Sequence, residues 1–489
     1  MADPLELVGL LVACGAAAAA VLAPNARWHP LAAAIALAAA PILVLGDVWD
    51  DPRVVDVRES PGLLAAGLLA GAGAIGAGAL LIRRFEWAFP VLAFGVLALR
   101  LPVEIAGETS NLLIPLYLVI AARFVASPGP ERGAGVGGDE VRAVVWLRRA
   151  LALTLVLYAA QAGYSDDVSN ALENAGFFLV PFAILFIQLA TVRWTAATLR
   201  ATAIAIAAVG AALATVAIGQ FLARDLFLNP ELQDSNELKP FFRVNSLFFD
   251  PNVLGRYMAL GLITVAAAVA WSRDGRAAVL ATAAGVLMAA ALTVSYSITS
   301  AAALVVGMGV LALLRYGFLG GLGTAAALAL TVFAFAVSGG ADRSDLGPTR
   351  GIGEETSGRV DLLEGGWELI KEEPALGWGS GAFGRAFFNE IRRAKTTASH
   401  SEPVTVAAEQ GVPGTLVYLA VLGTALWVLL GGGVAASAAR AAAAAAAAAL
   451  IVHSLGYAGF LSDPATWALL AVAVGVRRDG GEASAPPEP

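Results

Sequence analysis

The sequence predicts an all-α polytopic transmembrane bundle of about 14–15 spans, with a large, mostly helical extracytoplasmic loop module. Three observations predict it. Hydrophobic residues make up 58% of the 489-residue chain and charged residues only 14%, against about 25% charged in a soluble protein. Mean hydropathy is +0.75. Apolar stretches recur at the length of about 20 residues that crosses a hydrocarbon core of roughly 30 Å. No soluble fold can hide that much apolar surface, which excludes a soluble dinucleotide-binding enzyme, a disulfide scaffold and a disordered tail protein. The lone Cys14 cannot form an intramolecular disulfide. A net charge of −7 leaves no nucleic-acid footprint. The three histidines, His29, His400 and His453, argue against a multi-histidine metal site.

The chain opens Met1-Ala2-Asp3-Pro4, without a basic segment before the apolar run, so that run is read as a first span and not as a signal peptide. Spans are expected near 5–23, 29–47, 62–82, 87–106, 111–126, 145–163, 174–192, 201–222, 252–271, 277–295, 299–314, 318–338, 413–431, 434–455 and 457–476. Abundant Ala and 53 Gly allow close helix approach. The alanine run Ala441–Ala449 is either a tightly packed span or simple low complexity. Every second connection is basic, with sixteen Arg in that set against five Lys and Arg in the alternate short connections. The basic set is therefore assigned to the cytoplasm, with the N-terminus outside and the C-terminus inside.

Two extracytoplasmic connections are then unusually long. Residues 1–338 form the first twelve spans, interrupted by one such connection near 224–251. Residues 339–412 form the second, a large loop of 74 residues with 12 Asp/Glu and 8 Lys/Arg. Residues 413–476 hold the C-terminal spans and 477–489 a disordered cytoplasmic tail. Within the large loop, Val360, Leu363, Trp367 and Ile370 recur at helical spacing, preceded by Ser357-Gly358 and stopped by Pro374. That is one face of an amphipathic helix lying on the bundle or at the membrane interface.

Three segments hold candidate chemistry. In the first, Arg243 through Tyr257, two arginines (Arg243 and Arg256) flank a helix start at Asp250-Pro251-Asn252. Asp250 or Asn252 can cap that helix. A helix N-terminus with two guanidinium groups suits phosphate or pyrophosphate; the alternative is arginines that snorkel to lipid headgroups. In the second, Arg359 stands at the expected start of the amphipathic helix, where a cation opposes the dipole and so asks for an anion. The glycine-rich turn after Pro374 can cradle phosphate, although it lacks the Gly-Lys-Ser/Thr of a P-loop. In the third, His400 is the one histidine of a polar extracytoplasmic module, able to take a proton from a sugar hydroxyl, with Glu402 or Glu409 to orient it. His453 reads as a packing histidine. Arg100 and Glu104, four apart on the span expected at 87–106, share a helix face and can pair, either structurally or lining the same outer cavity. Asp463 reads similarly.

Together the three segments resemble the O-antigen ligase/polymerase family of bacterial envelope glycosyltransferases, over about Arg243 to Tyr418. The resemblance rests on Arg243-x-x-Ser-x-Phe-x-Asp-Pro-Asn252-x-Leu-x-x-Tyr257. It continues through Gly358-Arg359 with its amphipathic helix, Glu373-Pro374-x-Leu-Gly-x-Gly, His400-Ser-Glu402 and Glu409-x-Gly411-x-Pro-Gly414. It implies a bundle enzyme of the bacterial inner membrane that moves a glycan from an undecaprenyl-pyrophosphate carrier to a lipid, glycan or protein acceptor on the extracytoplasmic side. It maps pyrophosphate binding onto Arg243 and Arg359 and the family histidine onto His400, with no metal or other cofactor. The stretch Ser295–Ser300 lacks the arginine that relatives carry there; Arg256 or Arg385 stands to supply that charge. Alternatives are a lipid-linked-glycan or polysaccharide transporter, disfavoured because the charges cluster in outer connections and not at midspan, and a non-catalytic envelope-assembly scaffold.

Overall fold

The computed structural model describes residues 4–24, 26–105, 108–127, 138–237, 241–338, 353–391, 396, 398–431, 434 and 437–480. Eleven helices among them are long and apolar enough to cross a membrane, and two shorter apolar helices, Ile114–Ala126 and Pro464–Val476, accompany them. The chain is a multi-pass, all-α membrane bundle.

Close approach through small residues holds the bundle together. Met288 lies against Gly210 and Gly261, where a side chain on either glycine would meet its sulfur. A Cβ on Gly307 would stand 3.0 Å from the Ala445 carbonyl and 3.1 Å from Ala449 Cβ. The alanine run of Ala438–Gly456 is therefore a packed face: Ala441, Ala445 and Ala449 are at most 1% exposed. Dispersion between closely apposed backbones substitutes here for large side chains.

The helix Ile298–Ser338 breaks at Gly317 (φ 81°, ψ −175°). A Cβ on Gly321 would lie 2.7 Å from Leu313 Cβ and 3.0 Å from the Gly309 carbonyl. The two halves thus fold back on one another as a hairpin, a backbone path that requires glycine. The helix Glu402–Leu430 breaks at Gly411 (φ 58°, ψ −153°), where the Ala375 carbonyl and Gly377 amide approach to 2.7 Å of the missing Cβ. Between Val168 and Ala190 the helix opens into one wide π turn at Asn174–Leu179, a deviation frequent at functional sites.

The span expected at 87–106 is not formed. A short helix, Ala88–Val96, ends before Arg100, and Leu101–Ile105 pairs antiparallel with Glu108–Leu112. Arg100, Pro102, Glu104 and Gly107 make this segment too polar and too poor in helix formers to continue through lipid. Arg100 and Glu104 therefore share no helix face. The helix of the large loop begins at Gly353, so Arg359 is interior to it and not at its start. Its buried face is also not the expected one. Leu369 is fully buried, whereas Val360, Leu363 and Trp367 are 46%, 38% and 58% exposed. Gly365 and Gly366 explain the rotation, because they admit Phe387, Phe383 and Val404 against the backbone. The last helix runs Pro464–Gly480, so residues 477–480, expected in the tail, are helical. The rest of that tail and residues 339–352 lie outside the described residues.

Candidate active site

The connection after the helix Ala196–Ala223 folds inward. Gln220 donates to the Ser246 carbonyl (3.0 Å) and accepts from its amide (2.7 Å), while the Ser246 hydroxyl donates to Leu213 O (2.7 Å). Asn245 and Ser246 are fully buried. This anchoring sets the helix Pro251–Trp271, which Asp250 caps by accepting from the Asn252 amide at 2.6 Å. Pro251 occupies the first helical position, where a missing N–H costs nothing. The Asn252 side chain turns inward: Oδ1 accepts from Ser297 Oγ at 2.8 Å, and Ser297, Ser300 and His453 Nε2 continue the chain at 2.8 and 3.1 Å. Asn252 and His453 are 5% and 1% exposed.

Arg243 is half-buried. Its Nε donates to Ser295 O at 3.2 Å, and its backbone is fixed by reciprocal bonds with Asn236. One turn into the helix, Arg256 is buried and pairs with Asp463 at 2.5 Å, its ring neighbour being Tyr457. Arg100 approaches the same carboxylate at 3.8 Å. Two guanidinium groups thus share one carboxylate, with Asp250 on the same cavity wall as Arg100. Arg100 Nε has no hydrogen-bond partner.

His400 adopts φ 60°, in the left-handed region. Its ring lies 6.1 Å from that of Tyr457, which contacts His453 at 5.7 Å from the other side. Glu402 does not touch His400 through any hydrogen bond described. It accepts from the amides of Gly459 (2.5 Å) and Leu461 (3.5 Å), holding the loop that carries Tyr457. Burial, and next the nearby Asp250, raise the pKa of the Tyr457 hydroxyl, which stays protonated.

A cavity of about 1040 Å³ opens at one end of the bundle, bounded by Arg100, Asp250, Arg385, His400 and Tyr457 on its polar side and by Phe248, Phe249 and Phe388 on its apolar side. Three carboxylates line it as well: Asp167 and Asp250 are engaged as the caps of Val168–Glu173 and Pro251–Trp271, and Glu173 is the third. Arg385 reaches across to Asp166 O at 2.6 Å.

The glycine-rich turn is not a phosphate cradle. Gly377, Gly379 and Gly381 all have positive φ, and the amides of Gly381 and Phe383 donate to Glu409 at 3.1 and 3.2 Å. An internal carboxylate occupies the place an anion would take. Glu409 therefore anchors this turn.

Of the residues singled out in the sequence, the cavity brings together Arg100, Asp250, Arg385 and His400. Asn252 and Arg256 lie just behind it through Asp250 and Tyr457. Glu402 and Glu409 shape its walls from below. Arg243 is tied to Ser295, away from the cavity lining. The Arg359 side chain lies outside the described residues. Arg100 and Tyr457 join the site from distant segments. Arg100 had one signal, a charge in an apolar stretch; Tyr457 had none.

No curated protein matches the chain. Residues 283–419 match the family model described as O-Antigen ligase. The matched stretch takes in Arg385, His400, Glu402 and Glu409, and leaves out Arg100, Asp250 and Arg256. Over that stretch, which is less than half of the chain, the protein is similar to the O-antigen ligase family.

Proposed function

We propose that this protein transfers a glycan from an undecaprenyl-pyrophosphate carrier to a hydroxyl of a lipid, glycan or protein acceptor. The reaction takes place in the cavity that holds His400, on the extracytoplasmic face of the bacterial inner membrane. The observation that carries this reading is the cavity itself. One imidazole, the shared-carboxylate arginine Arg100, a second arginine and an aromatic wall meet at one end of an apolar bundle. Apolar walls suit a polyprenyl chain, and cations suit its pyrophosphate.

His400 takes the proton of the acceptor hydroxyl as the oxygen attacks the anomeric carbon. The bond from that carbon to the pyrophosphate oxygen breaks, and the departing charge is met by guanidinium groups. Stabilising developing charge in a site sheltered from water is often the largest catalytic contribution. Arg100 and Arg385 stand on the cavity; Arg243 and Arg359 are assigned to the same anion by resemblance. The exposed apolar stripe of Val360, Leu363 and Trp367 fits a helix resting on the membrane surface, where the carrier arrives.

The test is a reconstituted transfer assay with polyprenyl-pyrophosphate glycan and candidate acceptors, comparing the unaltered protein with His400→Asn and Arg100→Gln. Glycan on a new acceptor, lost in the variants, is the expected result, and product length separates ligase from polymerase. Undiminished transfer by folded His400→Asn would overturn the assignment of the base.

A further inference from the structure

Beneath the reaction cavity lies a second, smaller one of about 250 Å³, room for roughly eight waters or one sugar ring. Asn170, Ala398 and Ala458 line both cavities, so the smaller opens beside the larger, two residues from His400. Its walls differ in kind. Glu402 and Glu409 contribute carboxylates, Asn170, Asn174 and Gln410 contribute carboxamides, and no Lys, Arg or His is among the described lining residues. The larger cavity carries both signs of charge, Arg100, Arg385 and His400 beside Asp167, Glu173 and Asp250; the smaller one carries carboxylates alone and is rich in hydrogen-bonding groups.

Two hydroxyls in its wall are weakly held, Tyr158 facing Asn174 and Tyr418 facing Ser454. Tyr158 and Tyr418 are 7% and 3% exposed, and neither phenolic oxygen has a hydrogen-bond partner of normal geometry. An unmade hydrogen bond on a buried group costs about 1–3 kcal/mol, so a polar occupant is favoured. Glu402 and Glu409 each spend lone pairs on two backbone amides and keep others for donors in the cavity. Carboxylates, carboxamides and tyrosine hydroxyls facing one space supply acceptors and donors for a polyhydroxylated ring. An anionic group, by contrast, meets two carboxylates and no cation there.

We infer that this second cavity is a saccharide subsite that seats one neutral or amino sugar residue of a substrate glycan next to His400 and excludes sugars bearing a carboxylate. The inference rests on the glycosyl-transfer reading. It deepens that reading by naming the sugar class taken nearest the reacting centre. Tyr158 and Tyr418 are specificity residues that supply hydroxyls to the ring, while His400 and the arginines do the chemistry in the adjoining cavity.

The test is ligand-observed NMR on the full chain in lipid nanodiscs, with N-acetylglucosamine, galactose and glucuronic acid as probes and donor-free conditions. Saturable binding of the two uncharged sugars is expected, with glucuronic acid at least about tenfold weaker. Tyr158→Phe and Tyr418→Phe should each weaken uncharged-sugar binding by about five- to tenfold, the loss of one buried hydrogen bond. Gly423→Ala, outside the lining of both cavities and with nothing within 4 Å of its added Cβ, should bind as the unaltered protein does. Thermal melts establish that each variant is folded. A cavity that holds only ordered water gives no saturable binding, which overturns the proposal. Equal binding of glucuronic acid, or tyrosine variants indistinguishable from the unaltered protein, overturns it too. Sugar binding with the expected selectivity in protein that transfers no glycan from any polyprenyl-pyrophosphate donor would leave the subsite standing and overturn the transfer reading alone.

Discussion

Asp463 accepts a hydrogen bond from Arg256 at 2.5 Å while Arg100 stands 3.8 Å from the same oxygen. The carboxylate is 2% exposed and Arg256 5%. This buried cluster joins the start of the last helix to Pro251–Trp271 and to the segment before the Leu101–Ile105 strand. A single anion holding two cations in a low-dielectric bundle is a point where one substitution has a large effect.

Asp463→Asn leaves two buried guanidinium groups without a counter-charge. Removing one partner of a buried pair costs about 3–5 kcal/mol. Thermal unfolding in detergent should show a drop in Tm of several degrees or more, with loss of yield. The double change Arg256→Met with Asp463→Leu should recover much of that loss, because it removes the desolvated charges together. A double variant no more stable than Asp463→Asn alone would show that packing and not charge is at stake.

Glu402 ties the amides of Gly459 and Leu461, and so sets where Tyr457 lies against His400. Glu402→Gln keeps one acceptor oxygen and substitutes a donor for the other, leaving one amide of the loop poorly matched, at about 1–3 kcal/mol. Hydrogen exchange should rise at 457–461. Transfer should fall with kcat more than with KM, since a positioning group is disturbed and no substrate contact is removed. Unchanged exchange in that loop would refute the anchoring role.

His400 sits at φ 60°, where Asn is tolerated far better than Ala or a branched residue. His400→Asn should therefore melt close to the unaltered protein and transfer no glycan above background. His400→Val should lose both fold stability and activity. Equal melting of the two would remove backbone strain as a consideration at this position.

At Gly411 the backbone has φ 58° and ψ −153°, a region populated essentially by glycine, costing other residues about 1–3 kcal/mol. A methyl group would also meet the Ala375 carbonyl at 2.7 Å. Gly411→Ala should destabilise by more than about 2 kcal/mol, summing strain and overlap, and should release the turn at 375–381 to proteolysis. The control Gly423→Ala, with nothing within 4 Å of its added Cβ, should be neutral or mildly stabilising.

Arg100→Gln removes the more weakly paired of the two guanidinium groups on Asp463, the one that lines the cavity. The expected result is a rise of about tenfold or more in KM for the pyrophosphate donor, the loss of one charge-assisted hydrogen bond. Thermal stability should change little, because Arg256 retains the carboxylate. A large fall in Tm with an unchanged KM would make Arg100 a structural residue.

Much of the architecture was legible in the chain alone. Helices such as His29–Asp47 and Pro251–Trp271 coincide with the apolar runs 29–47 and 252–271 to within a residue, because the bilayer requires every backbone group of a span to be satisfied inside that span. The cap at Asp250-Pro251 was readable for the same local reason. His400 and Arg385 were readable as polar groups of the longest connection between spans. The departures have one cause in common: the deciding partner is remote in sequence. Arg100 lies beyond the end of Ala88–Val96 and meets Asp463, remote in sequence. Glu409 reads in sequence as a neighbour of His400, yet its carboxylate holds the glycine turn by accepting from the amides of Gly381 and Phe383. The amphipathic helix buries Leu369 and its glycine ridge where Phe383 and Phe387 pack, and leaves the predicted stripe outward. Hydropathy and local turn chemistry determine which segments cross the membrane and where helices begin. Which charge meets which, and therefore where the cavities lie, depends on side-chain pairings across the bundle that only tertiary packing decides.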